Sequence, residues 1–247
     1  MFIENDGIRL HVELSMPGAA AGGETCPLVI LIHGFTGNMD EPHLTAMADM
    51  MNGAGFAVLR AEMYGHGQSG GSFRDHTLFK WLTDMTALVD YAGQLPFVSE
   101  LYLCGHSQGG LTVMLAGSME RDRVSGIIAL SPAVCIPDDA RRGCMLGQPF
   151  DPDSIPDIIG VYADGPLGGN YARAAQMIHL EDVSRYEGPV LIVHGDADET
   201  VDVQWAYRSA ELFRNCTLEI IPGDTHCYDR HPDRAVEAVR KWLAGRR

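Results

Sequence analysis

At 247 residues, with 46% hydrophobic and 21% charged side chains, the chain can bury a sizeable core and fits one large α/β domain rather than two equal ones. Its 33 acidic against 18 basic side chains give a formal charge of −15, which repels nucleic-acid phosphates and anionic membrane surfaces at long range and points to small-molecule partners. Met1 to Pro17 lacks the basic start and long apolar run of a secretion signal, and no apolar stretch is long enough to cross a bilayer. The six cysteines have neither paired nor metal-ligand spacing, so reduced thiols in a cytoplasmic protein are expected.

In chain order, residues 1 to 16 read as two strands turning at Asp6-Gly7, an antiparallel edge. A buried strand follows at Pro27 to His33, then a helix around Glu41 to Gly53 and a strand at Ala57 to Met63. A helix near Leu78 to Ala92 leads to the strand Leu101 to His106, after which Ser107 opens a helix reaching about Glu120. The strand Val124 to Leu130 ends at Ser131-Pro132, and the next clear strand, Val190 to His194, starts only some sixty residues later. That stretch holds Pro137, Pro149, Pro152, Pro156 and Pro166, with helix period only in patches such as Asn170 to Ile178. So long an excursion between core elements is uncommon in a compact domain. It divides the chain into a core of residues 1–132 and 181–247 and a lid or binding insert of residues 133–180. The alternation resumes with a helix Val203 to Phe213, a strand Thr217 to Ile221 and a closing helix Pro232 to Leu243. Strands alternating with helices imply a mostly parallel sheet covered on both faces.

Gly105-His106-Ser107-Gln108-Gly109 fits G-x-S-x-G and lies where a strand passes directly into a helix, the context in which that motif exposes a serine nucleophile. A serine hydroxyl is a poor nucleophile at neutral pH, so a base must take its proton and a third group must hold that base in the right tautomer. The fold predicts the order Ser, Asp, His. His194-Gly195-Asp196-Ala197-Asp198 and Gly223-Asp224-Thr225-His226 each follow a strand, and strand ends on one edge of a parallel sheet converge. His226 is the expected base, its activity declining as pH falls through an imidazole pKa of about 6.5. Asp198 is the preferred acid because its loop can turn back to the sheet edge, with Asp196, Asp202 and Asp224 as neighbouring alternatives. The oxyanion is expected on the backbone N–H groups of Phe35, in His33-Gly34-Phe35-Thr36-Gly37, and Gln108. His33 reads as a structural residue that fixes this loop.

Gly65-His66-Gly67-Gln68-Ser69-Gly70 satisfies G-x-G-x-x-G after a strand, yet no helix opens at its end, so dinucleotide binding is not expected. The ten histidines show no ligand spacing, and neither a metal nor another cofactor is expected. Cys104 and Cys227 flank the proposed triad without being needed as nucleophiles.

Five segments together give the chain a family resemblance: His33-Gly34-Phe35-Thr36-Gly37, Arg60 to Gly67, His76-Thr77-Leu78-Phe79-Lys80-Trp81-Leu82, Gly105 to Gly110, and Pro222 to Tyr228. Over almost its whole length the chain resembles bacterial cinnamoyl or feruloyl esterases of the α/β-hydrolase superfamily. The resemblance implies an eight-stranded, mostly parallel sheet with a lid insert, and hydrolysis of feruloyl, p-coumaroyl and caffeoyl esters without a cofactor. It further implies that polar side chains of the insert hold the ring hydroxyl; by position these are Asp139 and Tyr171, with Phe35 lining the acyl pocket and Leu146 standing where some relatives carry a polar residue. The implied partner is a small aromatic ester, acted on by a monomer or a homodimer. A monoacylglycerol lipase, a short-chain carboxylesterase and a non-catalytic ligand-binding member of the same fold are the rival readings.

Overall fold

Asp6 and Gly7 both take left-handed backbone, with φ of 48° and 77°, the geometry of a two-residue turn whose twist matches the strands it joins. The turn pairs β1 (Phe2–Asn5) with β2 (Ile8–Ser15) in antiparallel register, Asn5 opposite Ile8, as the Asp-Gly pair predicts. The structure is a computed structural model that describes residues 1–18 and 25–246.

After the hairpin come β3 (Cys26–Ile32), α1 (Pro42–Gly53), β4 (Ala57–Ala61), α2 (Leu78–Gly93), β5 (Val98–His106), α3 (Gln108–Met119) and β6 (Gly126–Leu130). The intervening segment contains α4 (Ile136–Arg142), β7 (Cys144–Met145), β8 (Gln148–Pro149), β9 (Ile158–Tyr162), β10 (Gly165–Gly168) and α5 (Asn170–Gln176). The chain closes with β11 (Val190–Gly195), α6 (Gln204–Ala210), β12 (Cys216–Ile221) and α7 (Pro232–Ala244). Eight strands form one sheet in the order β1-β2-β4-β3-β5-β6-β11-β12, antiparallel at the β1-β2-β4 edge and parallel from there on. This is the mostly parallel sheet that the strand and helix alternation implies, and the α/β-hydrolase arrangement that the family resemblance implies.

Period-two alternation in β3 shows how the sheet is held. Leu28, Ile30 and Ile32 enter the core shared with α2 and α3, whereas Val29 and Leu31 enter the core shared with α1 and α7. All five are buried, so this strand is apolar on both faces, as a central parallel strand must be. Among the described residues, no helix is long and apolar enough to cross a membrane.

Observed boundaries depart from the sequence reading by two or three residues in several places, β5 starting at Val98 and β4 ending at Ala61 among them. The helix expected to run to Phe213 ends at Ala210, and the strand expected from Val124 begins at Gly126, where pairing with Tyr102 starts. The larger difference lies between β6 and β11. Its four strands pair only as the hairpins β7-β8 and β9-β10, outside the main sheet, while Ile136, Met145, Leu167 and Tyr171 join the core that contains α2 and α3. Periodicity missed α4 and the hairpins because seven residues of helix and strands of two residues are too short to register.

Candidate active site

Only Ser107 separates β5 from α3, so the chain must reverse direction within one residue. Its backbone takes φ 56° and ψ −119°, a strained setting for a non-glycine residue that costs on the order of 1–3 kcal/mol and persists only when the surroundings over-determine it. They do so here. Ser107 N donates to Leu130 O at 2.8 Å, and Ser107 O accepts from Ala133 N at 2.9 Å. The loop after β3 presses on the same turn. A Cβ on Gly109 would lie 2.3 Å from His33 O, and one on Gly34 would lie 2.9 Å from Ser107 Cβ, so both close approaches require glycine.

The Ser107 hydroxyl donates to His226 Nε2 at 2.9 Å, and His226 Nδ1 donates to Asp198 Oδ2 at 2.7 Å. Three loops at the ends of β5, β11 and β12 therefore meet in series. The Asp198 side chain is fully buried. Burial alone would raise its pKa, but hydrogen bonds from His194 and His226, followed by the Val201 N–H, hold it well below the ordinary carboxylate range. Its Oδ1 accepts from the Thr200 and Val201 N–H groups, both at 2.8 Å, which leaves Oδ2 to face the imidazoles.

The neighbouring acids have other partners. Asp196 Oδ1 accepts from Gly223 N at 2.5 Å, tying the β11 loop to the β12 loop. Buried Asp224 accepts from the Thr225, Arg230 and His231 N–H groups and braces the segment that carries His226. Asp202 accepts from Gln204 N at the start of α6.

His33 acts on the backbone. Its Nδ1 donates to Gly34 O at 2.7 Å and its Nε2 accepts from Met63 N at 3.0 Å. Burial, with His66 nearby, lowers its pKa to about 3, so the ring stays neutral and keeps that tautomer. Phe35 and Gln108, flanking the serine from the two loops, carry backbone N–H groups that have no hydrogen-bond partner among the described residues.

Beside Ser107 lies a cavity of about 180 Å³ whose lining includes Phe35, Ile136, Asp139, Met145, Leu146 and Tyr171. The three residues singled out for binding thus share one wall system with the serine. Phe35 packs edge-on against Phe73, Tyr162 and Tyr171, with ring centroids 5.0 to 5.8 Å apart. Asp139 is ion-paired to Arg142 at 2.9 Å. The Tyr171 hydroxyl already has a partner, since it donates to Gln108 Oε1 at 2.5 Å. Leu146 sits half-exposed on the β7-β8 turn with φ 47°. Larger surface grooves along β1 and α2 and along α7 contain none of these residues.

Three histidines escaped the sequence reading. His194 Nε2 lies 3.1 Å from Asp198 Oδ2 and 2.9 Å from Val201 O, a second imidazole on the acid. His106, immediately before the serine, donates from Nε2 to His226 O at 2.9 Å. His43, at the start of α1, stacks edge-on against His106 with centroids 4.3 Å apart. The His-Gly pair at the end of β11 was the one available signal for His194; nothing local marks His43.

A family model described as serine aminopeptidase, S33, matches residues 23–158. Est1E from Butyrivibrio proteoclasticus, in a structure with ferulic acid bound, is 51% identical with a TM-score of 0.96, covering 99% of this chain and 98% of its own. A second Est1E structure gives 49% identity and a TM-score of 0.92, covering 99% of this chain and 97% of its own. Among characterised sequences, the bifunctional esterase/perhydrolase DCH of Acinetobacter calcoaceticus is 25% identical over 90% of this chain and 92% of its own length.

Proposed function

The chain belongs to the serine aminopeptidase (S33) family, with the α/β-hydrolase fold, and on that premise we propose that it is a serine carboxylesterase cleaving hydroxycinnamate esters. The observation that carries the reading is the unbroken series from Ser107 through His226 to Asp198 opening on a small, largely apolar cavity. Ferulic acid bound to Est1E, at 51% identity over nearly the whole chain, supports the acyl group. So does size: about 180 Å³ is below the roughly 300–1,000 Å³ of pockets for drug-sized ligands and suits one substituted ring rather than a long acyl chain.

In the proposed mechanism, His226 takes the Ser107 proton as Oγ attacks the ester carbonyl, and the oxyanion rests on the Phe35 and Gln108 N–H groups. The imidazolium is stabilised by the buried Asp198 carboxylate, and its proton then goes to the departing alcohol. Water activated by His226 splits the acyl-enzyme, releasing the acid and restoring the serine. Phe35 packs on the aromatic acyl group, Asp139 accepts from its ring hydroxyl, and Tyr171 lines the wall while holding Gln108. No cofactor enters these steps. Residues 133–180 act as the substrate-binding insert, and the six free cysteines support a reducing, cytoplasmic setting.

The test is hydrolysis of methyl ferulate and methyl p-coumarate against aliphatic p-nitrophenyl esters of increasing length. Hydroxycinnamates should have the higher kcat/KM, and Ser107→Ala should lower their turnover by about 10⁴-fold or more. A preference for long aliphatic esters, or wild-type turnover in Ser107→Ala, would overturn the proposal.

A further inference from the structure

Beside His226, whose ring centroid lies 4.8 Å from that of His106, three separate segments bring metal-ligating groups together. One ring nitrogen each of His43 and His106 and the Cys227 Sγ all lie within 4.8 Å of one another. His43 comes from the first turn of α1, His106 from the last position of β5 and Cys227 from the loop after β12. From this geometry we propose that the cluster is a site for a zinc-class divalent transition metal, bound by two imidazoles, one thiolate and solvent.

Hydrogen bonding leaves lone pairs available for this. His106 Nε2 faces the His226 carbonyl, which can only accept, so Nε2 carries the proton and Nδ1 is a bare lone pair. That Nδ1 is buried and has no partner among the described residues, and the same holds for His43 Nε2. The two residues are only 3% and 7% exposed. Two buried, unpartnered imidazole nitrogens beside a thiol are an unusual expense in a core where nearly all polar atoms are paired. An imidazole whose far N–H is held by a backbone carbonyl is also how metal-ligating histidines are commonly oriented. Cys227 is half-buried, which provides an entry path for the ion. Glu41, at the same helix start as His43, has a buried Oε2 without a partner and acts electrostatically on Cys227, adding negative charge near the ion.

Tetrahedral zinc, with zinc–nitrogen bonds of about 2.0–2.1 Å and zinc–sulfur bonds of about 2.3 Å, sets ligand separations of about 3.3–3.6 Å, so binding draws the three groups together by up to about 1.5 Å. Binding forms the Zn–S bond and two Zn–N bonds, displaces water from the aqueous ion, and releases the Cys227 thiol proton to solvent. Sequence spacing could not reveal the site, because its ligands come one from each of three distant segments.

The experiment is titration of the chelator-treated full-length protein with Zn²⁺, read by equilibrium dialysis, and with Co²⁺, read by its thiolate-to-metal absorption. One ion per chain should bind saturably, with the sulfur-to-cobalt band present. Cys227→Ser should abolish the band, and Cys227→Ser and His43→Gln should each weaken Zn²⁺ binding by at least about 100-fold, with circular dichroism confirming that both variants fold. Absence of saturable binding would overturn the proposal. A cobalt–thiolate band that persists in Cys227→Ser would place the ion on another cysteine and would overturn it equally. So would binding that survives Cys227→Ser and His43→Gln but disappears in His226→Ala, since the ion would then sit on the triad.

Discussion

The Tyr171 hydroxyl donates to the side-chain oxygen of Gln108 across 2.5 Å, so a residue of the insert holds the first residue of the helix behind the nucleophile. Both side chains are fully buried. Burial raises the Tyr171 pKa well above its ordinary value, so the hydroxyl remains a donor over the whole working pH range. In the proposed mechanism Gln108 also offers one of the two oxyanion N–H groups, and on that proposal residues 133–180 would act on the chemistry as well as on the shape of the cavity.

Tyr171→Phe keeps the ring in its packing and removes only that hydrogen bond. The Gln108 oxygen is then buried without a donor, which should lower stability by about 1–3 kcal/mol in urea unfolding. If Gln108 is held for the oxyanion, the loss in kcat/KM, about 10-fold, should come from kcat, with KM little changed. A rise in KM at constant kcat would instead make Tyr171 a binding residue alone.

Asp198→Asn tests the tautomer. Because Thr200 and Val201 both donate to Oδ1, the amide oxygen must occupy that position and the amide NH₂ must face His226 Nδ1. His226 can then only accept at Nδ1, so its proton moves to Nε2 and it cannot receive the serine proton. Turnover should fall by about 10⁴-fold with the fold intact, measured by single-turnover kinetics and circular dichroism.

Gly34→Ala places a methyl group 2.9 Å from Ser107 Cβ, too close for either to remain in place. Since His33 pins one side of the loop to Gly34 O and Met63 N, displacement should move the Phe35 N–H away from the oxyanion. The expected effect is a drop in kcat of about 10²–10³-fold, the cost of one lost oxyanion donor. An unchanged kcat would remove Phe35 from that role.

Acid should unfold the protein through its buried neutral imidazoles. Burial, reinforced by the charge of His66, lowers the pKa of both His33 and His76 to about 3, whereas in the unfolded chain each titrates near 6.5. Both pKa values are depressed on folding, so the unfolded state binds more protons between the two limits. Stability is complete above about pH 6.5 and falls as pH drops toward about 3, by about 2.7 kcal/mol per pH unit for the pair. Unfolding free energies from urea melts at pH 7, 6 and 5 should fall with pH, and His76→Gln should remove one proton's share of the slope, about 1.4 kcal/mol per pH unit. Identical slopes in the two proteins would show that His76 is not held neutral.

The Asp6-Gly7 hairpin, the two-faced apolar strand β3 and the strand-serine-helix junction at Ser107 were all legible in the sequence, because each is decided by a residue's chain neighbours. The order of serine, acid and histidine is the one the strand-serine-helix motif predicts, and the meeting of their loops follows from strand ends that a parallel sheet brings to one edge. Asp198 was preferred over Asp196 on loop reach alone; the fold gives Asp196 to Gly223 and Asp198 to His226. The short elements of residues 133–180, the hold of Tyr171 on Gln108 across 63 positions, and the meeting of His43, His106 and Cys227 were decided only by tertiary packing. Local sequence determines backbone conformation because it acts through adjacent atoms, whereas which distant side chains share a buried hydrogen bond depends on how whole elements stack, and no periodicity records that.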